Sequence, residues 1–445
     1  MSGFWSRLLG GNKPAPVAAP AALAAAPAAA AAPAAAPAAM PTFGARRPLV
    51  GASGELAGFE FRLSPATQRR LQAGGASHES GPAAAAHAIA LLSAMRSTLA
   101  AGRIALGELP AGLLARPAVA EQVPEGAWIA VQGAFDANES IAGALMQWRT
   151  RGVKLGAADG APQPPGASFV LLRPAAGGIE AVLHAADRWQ RDEPARTRIA
   201  VDLPGVEAIE QALERGVFLA AGRVEAGDGA LAQRRIVQPQ TQRLCQLLND
   251  VVADRDTAQI GSALRADLAL SYRLLRCVNS PAVGLARPVE SVEQAVMVLG
   301  RAELYRWLSV LLTASGSGRP ASRALQDVAL ARARLLELLA QAAGDAPPAA
   351  MFTVGLMSML DALLQVPLAD ALQPLQLAEP ARAALLEHAG PWWPALDLAM
   401  RLERHELDGA EPLAEPFGGL DAVLAHADEA WAWSAALARA QAGAA

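Results

Sequence analysis

The chain has 445 residues and a formal net charge of -4, which is length enough for two domains with separate cores and too acidic a balance for broad nonspecific nucleic-acid binding. Hydrophobic residues make up 53% of it but aromatics only 4%, so aliphatic cores are expected, and apolar runs such as LSVLLTA from Leu308 fall short of the ~20 residues of a membrane span. The two cysteines, Cys245 and Cys277, form no CxxC pair, which excludes a disulfide framework and fits free thiols in a reducing cytoplasm.

The chain begins MSGFWSRLLGGNK, without the apolar core and small-residue cleavage context of a signal peptide. Residues 13–40 are almost entirely Ala and Pro. Such a tract buries too little to offset its ordering entropy and reads as an extended tether. It would carry Phe4, Trp5, Leu8 and Leu9, either one turn of a docking helix or a tail with a few apolar residues. The tail is favoured, because so short a segment does not fold alone. Residues 1–46 are therefore read as a tail, 47–233 as a first domain and 234–445 as a second.

The first domain alternates strands and helices. Strands are predicted at Glu55–Leu63, Ala127–Gln132, Val153–Ala157, Ser168–Leu172, Arg198–Val201 and Val217–Ala220. Between them, Asn138 would cap a helix with Ile141, Leu145 and Trp148 on one face, and Pro204 would open another with Val206, Ile209 and Leu213 inward. Such alternation implies a parallel sheet with right-handed crossovers; periodicity does not choose between barrel and open sheet. From Ile236 onward the pattern is helical throughout. Asp256 with Gln259 and Ser291 with Gln294 read as capping boxes, and Gly300 as a helix stop. Helices are predicted at Leu268–Val278, Ala302–Leu312, Ala321–Ala343, Ala350–Leu364, Ala378–His388, Pro394–Leu407 and Leu420–Arg439, with NSPAVGLARPVES as turn chemistry.

The segment from Ile260 to Leu312 resembles the HDOD family. The features that carry the resemblance are Asn279-Ser280 at a helix end, Gly284 in the following loop, Ser291 capping a helix that ends Leu299-Gly300, and Arg306-Trp307 on the next helix. MFTVGLMSMLDALLQVPLADAL and Glu403 extend the match. The family is related to HD-type metal phosphohydrolases, yet Met357-Ser358-Met359 stands where active relatives carry a His-Asp pair, and neither side chain suits a hard cation. His388, His405 and His426 read as surface or capping residues, and Asp361 as solvated or capping.

More weakly, the first domain resembles a degenerate EAL domain, the fold of cyclic di-GMP phosphodiesterases. GELAGFEFRL looks like its first strand, with Glu60 at the motif glutamate; ALMQWRTRGVKLGAADGA leads to the paired aspartates, of which Asp159 remains; and TRIAVDLPGVEAIEQALERGVFLAAGRV looks like the last two strands, with Asp202 at the late glutamate. Arg173 stands after the strand that normally carries a lysine and an aspartate. Two-metal hydrolysis needs several carboxylates around one centre, so Glu60, Asp159 and Asp202 read as relics and no cofactor is expected. A region of about 185 residues is also short for an eight-stranded barrel of typically ~250, and an incomplete one is expected.

The expectation is thus a multidomain protein, a degenerate α/β barrel followed by an all-α HDOD domain. It would act in the bacterial cytoplasm as a non-catalytic signalling adaptor with protein partners and no nucleic acid. Its candidate interaction surface is Asn279, Ser280, Pro281, Gly284, Ser291, Arg306 and Trp307, while Trp307 and Trp392-Trp393 also read as packing residues. The alternative is a sensor that binds cyclic di-GMP without cleaving it, with Arg62 and Arg173 contributing.

Overall fold

The computed structural model describes residues 46–63, 82–114, 116–133, 139–174, 178–226, 238–279, 287–315 and 318–442. The N-terminal Phe4–Leu9 segment, Asn138, and Ser280, Pro281 and Gly284 lie outside them.

Eight strands close a barrel in sequence order: β1 (Arg47–Gly51), β2 (Leu56–Phe61), β3 (Ile104–Pro110), β4 (Trp128–Gln132), β5 (Lys154–Ala158), β6 (Phe169–Leu172), β7 (Thr197–Leu203) and β8 (Leu219–Gly222). β1 pairs antiparallel with both β2 and β8. Every other neighbouring pair is parallel. The expectation of an incomplete barrel is corrected, because the short region saves its residues in the connections. β1 turns into β2 as a hairpin, and β5 reaches β6 without a helix. α1 (Pro82–Ala100) precedes β3, and between β3 and β4 lie only two single turns, α2 (Ala111–Leu114) and α3 (Pro117–Ala120). Full helices serve the rest: α4 (Glu139–Thr150), α5 (Gly178–Asp192) and α6 (Val206–Glu214).

Two strands escaped the sequence reading. RPLVG opens with Arg-Pro and shows no alternation, and IALGELP contains both Gly and Pro. Gly107 is there for packing, since a Cβ would stand 2.7 Å from the Met95 sulfur on α1. GELAGFEFRL accordingly holds the second strand rather than the first. Strand alternation divides the barrel's residues between two cores. Leu49, Leu106, Trp128, Phe169, Leu171 and Val201 are among those filling its interior, while Phe59, Phe61, Ile129 and Val170 pack outward.

The second half is helical: α7 (Pro239–Val252), α8 (Thr257–Arg265), α9 (Leu268–Val278), α10 (Val292–Ala314), α11 (Ser322–Ala343), α12 (Pro348–Met357), α13 (Leu360–Leu364), α14 (Leu368–Leu372), α15 (Glu379–Arg382, running into a π turn at Ala383–Glu387), α16 (Trp393–Arg404), α17 (Glu411–Ala414) and α18 (Leu420–Ala442). Ser291 caps α10 by accepting from Gln294 N, 3.2 Å. Gly300, at φ 74° and ψ 169°, leaves the helical region and ends the first stretch of α10 as the sequence suggested, the second stretch following across a kink. Asp256 makes no side-chain cap; the neighbouring cap is Asp267, which accepts from Ala269 N and Leu270 N. The single helix predicted over 350–364 breaks at Ser358-Met359 into α12 and α13. No helix among the described residues is long and apolar enough to cross a membrane.

α11 is the spine of this half, packed against α12, α16 and α18. The tightest approach is at Gly355 on α12, where a Cβ would meet the Ala333 Cα at 2.4 Å. Backbone cannot give way as a flexible side chain can. Gly355→Ala should therefore destabilise by about 1–3 kcal/mol through overpacking. Gly143→Ala, on α4 with open space around it, should be neutral or stabilising by up to ~1 kcal/mol. Urea unfolding of the two variants beside the parent checks both.

Candidate functional site

The carboxyl ends of the parallel strands are where barrels of this kind gather polar side chains. Here Glu60 from β2, Glu108 from β3 and Asp202 from β7 converge there with Arg47, Arg62 and Arg173. Arg47 belongs at this end because β1 runs antiparallel, so its first residue meets the others' last. Asp202 arrives by a different device. The β7–β8 register shifts between Ala200 and Leu203, and Asp202 takes a left-handed φ of 62°. Such a bulge re-aims a side chain, here into the mouth.

Every carboxylate is engaged by a guanidinium. Arg62 is the hub: its Nη1 and Nη2 donate to Asp202 Oδ1 and Oδ2 at 2.8 and 3.0 Å, and its Nε donates to Glu60 Oε1 at 2.6 Å. Arg47 Nη1 donates to Asp202 Oδ1 at 2.7 Å. Arg173 donates through Nη2 to Glu108 Oε2 at 2.5 Å and through Nε to Asp202 Oδ2 at 3.0 Å. Burial would raise the Asp202 carboxyl, but Arg62 and Arg47 outweigh it and hold that group well below the usual carboxylate range. The same pairing, with Glu60, Asp202 and Glu108, overcomes burial to raise Arg62 above its ordinary value.

The EAL resemblance implies divalent metals at this end of the barrel. The residues present do not fit them. Three fixed positive charges stand among the three carboxylates and pair with each of them; of their oxygens only Glu60 Oε2 is buried without a hydrogen bond, with Arg47 Nε 3.4 Å away, so a dication would have to displace guanidiniums already matched in charge. Asp159 is not in the mouth network at all; it accepts from Arg188 and from Trp189 Nε1 at 2.9 Å, both on α5.

The helical half covers the mouth. His405, the left-handed C-cap of α16, is 7% exposed. Burial, then the charges of Arg47 and Arg62, press its imidazolium well below the ordinary histidine range, so it sits there neutral. It caps a helix as the sequence suggested, but it is not a surface residue. Around it the two halves are clamped. Arg404 bonds Glu225 and Arg223 bonds Glu406 at 3.2 Å. Arg319, its side chain almost wholly buried, reaches Glu210 at 2.8 and 2.9 Å and Glu207 at 3.1 Å on α6. Ala324 N donates to Gly54 O at 2.9 Å, and Phe59 meets Trp431 edge to face at 4.7 Å.

A second buried pair lies where the HDOD resemblance would place the His-Asp position of metal-dependent relatives. Arg332 forks onto Glu403, with Nε and Nη2 at 2.9 and 2.5 Å, and its Nη1 donates to Ser358 Oγ at 2.8 Å. A guanidinium again stands where the chemistry would need a metal. Nearby, burial pushes the Asp361 carboxyl up to about 6, against the Ala362 N–H and Arg332.

Among the remaining sequence candidates, Asn279 is exposed yet locked, its amide exchanging hydrogen bonds with Val289 N and O at 2.7 and 2.8 Å. Trp307 is buried. Arg306 is turned inward onto Glu337 at 2.7 and 3.1 Å and over the Phe352 ring at 3.7 Å. Neither Arg306 nor Trp307 offers its side chain to a partner, because each fills the helical core. Trp392 is buried, and Trp393 stacks on His388 at 4.6 Å. Both cysteines are free, with burial pushing each thiol up to about 11. Glu108 and Arg47 were missed because they lie on the two strands the sequence did not reveal.

Fold and site together define a two-part protein, a closed barrel whose polar mouth is partly covered by a helical domain, with Arg173 and Asp202 still 29% and 34% exposed. Residues 238–383 match the HDOD domain, and they follow the closed eight-stranded barrel along the chain. The chain is 30% identical over 171 residues to the uncharacterized protein YuxH of Bacillus subtilis, 38% of this chain and 42% of that one. It is 30% identical over 207 residues to the cyclic di-GMP phosphodiesterase CdgJ of Vibrio cholerae, 46% of this chain and 48% of that one. It thus spans less than half the length of each of these relatives. A solved EAL domain protein from Listeria monocytogenes aligns with a TM-score of 0.30 and 14% identity, over 40% of this chain and 84% of that one.

Arg62→Met should destabilise the protein by roughly 1–3 kcal/mol, since buried Glu60 loses its hydrogen-bonded guanidinium while Arg47 and Arg173 still hold Asp202 and Glu108; the urea midpoint reads this directly. Asp361 carries the opposite sign. Its folded value lies above its unfolded one, so the native state holds the proton more tightly and stability falls as pH rises through about 6. Asp361→Asn should match the parent in acid and exceed it by on the order of 2–3 kcal/mol at neutral pH, measured by urea unfolding in both buffers.

Proposed function

We propose that this chain is a non-catalytic regulator of cyclic di-GMP signalling that acts in the cytoplasm through protein–protein contacts of its HDOD domain. The observation that carries this reading is the state of the barrel mouth. Its carboxylates are neutralised by Arg47, Arg62 and Arg173 rather than left open to a metal, and His405 lies over them. A hydrolytic centre needs a positioned nucleophile and a general base within reach of substrate. Here the groups that would serve are committed to one another. The name of the relative CdgJ supports the signalling context, while the departures at Asp159 and Asp202 set this chain apart from an EAL enzyme. In this reading the unit boundary lies near residue 234, and the barrel serves as a rigid platform for the helical domain.

A second reading is favoured by one feature. Three guanidiniums converge at the mouth, a charge suited to phosphodiester oxygens. A sensor of cyclic di-GMP would use them, provided the ligand displaced the carboxylates and the His405 cover.

Titration of cyclic di-GMP into the full-length protein by calorimetry, with Mg²⁺ present and the mixture assayed for the linear product, separates these readings. The expected result is neither heat nor product. Binding without turnover would establish the sensor, and turnover would overturn the non-catalytic reading.

A further inference from the structure

Five of the eight large hydrophobic side chains that are exposed among the described residues lie between Val252 and Val298, on α7, α9 and α10 of the helical half. The rest of the helical half contributes only Leu386. Scattered exposed apolar residues are ordinary; this concentration on one part of one domain is not scattered.

α9 shows the pattern best. Its inner face is Leu270, Ser271, Leu274 and Val278, all buried. Its outer face presents Leu268, 84% exposed, and Tyr272, 63% exposed, one helical turn apart and so side by side. Beside and beyond them stand Arg273 and Arg276, both exposed and in no ion pair among the described residues. That separates them from the arginines on the flanking helices, where Arg243 pairs with Asp267 and Arg265 with Glu293. Arg287, exposed as well, is kept close to the same helix end, because Asn279 at the C-cap of α9 grips the backbone of Val289. The face is therefore apolar at its first turn, cationic towards its last, and built on a rigid helix with a pinned end.

We propose that this outer face of α9 is the docking surface of the HDOD domain and that its partner is an acidic amphipathic helix. The proposal rests on the adaptor reading and names its partner chemistry. Apolar side chains spaced i, i+4 on the partner would cover Leu268 and Tyr272, the helix-in-groove mode of recognition, with the aromatic as anchor. Carboxylates one turn further on would meet Arg273, Arg276 and Arg287. Charge complementarity selects this occupant: a second copy of the same face would set guanidinium against guanidinium, and like charges across an interface cost several kcal/mol.

The test places a photo-crosslinking phenylalanine analogue at Tyr272 of the full-length chain in the cell it comes from, with a control at Met146, an exposed residue on α4 of the barrel. The expected result is an adduct from Tyr272 whose crosslinked peptide is an acidic amphipathic helix. The double substitution Arg273→Glu with Arg276→Glu should cut that adduct by about tenfold or more, and lysines at the partner's carboxylates should restore it. Circular dichroism of the double variant should match the parent, since both arginines are exposed. No adduct from Tyr272, an adduct indifferent to the charge reversal, or one to nucleic acid or a second copy of this chain overturns the proposal. An adduct from Met146 alone sinks this surface while leaving the adaptor reading in place, whereas turnover of cyclic di-GMP in the calorimetry above sinks that reading and leaves a Tyr272 adduct standing.

Discussion

The knot of Arg47, Arg62 and Arg173 with Glu60, Glu108 and Asp202 is the constraint on which the rest of this structure depends. Four of these ionised groups, Arg47, Glu60, Arg62 and Glu108, are largely withdrawn from water and would be ruinous singly; each is tolerable only because opposite charges meet it. Their residues come from β1, β2, β3, β7 and the end of β6, so the knot ties the start of the barrel to its finish. Closure of the sheet and neutralisation of the mouth are one event: β1 delivers Arg47 to the carboxyl end only because it pairs antiparallel with β8, and the bulge in β7 delivers Asp202.

A neutral mouth is also a mouth that can be covered. A helix end approaching three free carboxylates, or three free arginines, would meet a strong field; approaching their pairs, it meets a weaker one, in which Arg47 and Arg62 still disfavour a second positive charge. That is why uncharged His405 can lie there, and why the contacts that fasten the halves stand at the periphery, as Arg404 with Glu225, Arg223 with Glu406 and Arg319 with Glu207 and Glu210. Apolar packing continues across the boundary, with Phe59 of the barrel against Trp431 of α18, and one core runs through both halves.

Much of this was legible in the sequence. Six of the eight strands and the order of the helices followed from hydrophobic period and from caps, with α9 bounded as predicted. The two strands that were not legible fail the rules for reasons the structure gives: RPLVG is too short to show alternation, and IALGELP owes Gly107 to the Met95 contact. The site was harder. Glu60 and Asp202 were singled out by resemblance, but their meeting with Glu108 is a product of barrel closure, which no local pattern encodes. His405 was set aside on base rates for histidine; its burial depends on α16 packing against β1, which brings it under the charge of Arg47, 358 positions away. Arg306 and Trp307 belonged to a real motif whose role is internal packing, and sequence cannot tell a motif kept for its core from one kept for its surface.

The antiparallel β1 has one more consequence. Because that strand starts at the mouth, the chain enters the barrel on the covered side, where Arg46 bonds Asp428 of α18 and lies over the Phe59 ring at 5.2 Å. Arg46, the first described residue, is thus set in the seam itself, not on the far floor of the barrel. A pull on the chain at Arg46 would load the joint between the two halves first, as a drawcord acts on the neck of a bag rather than on its base.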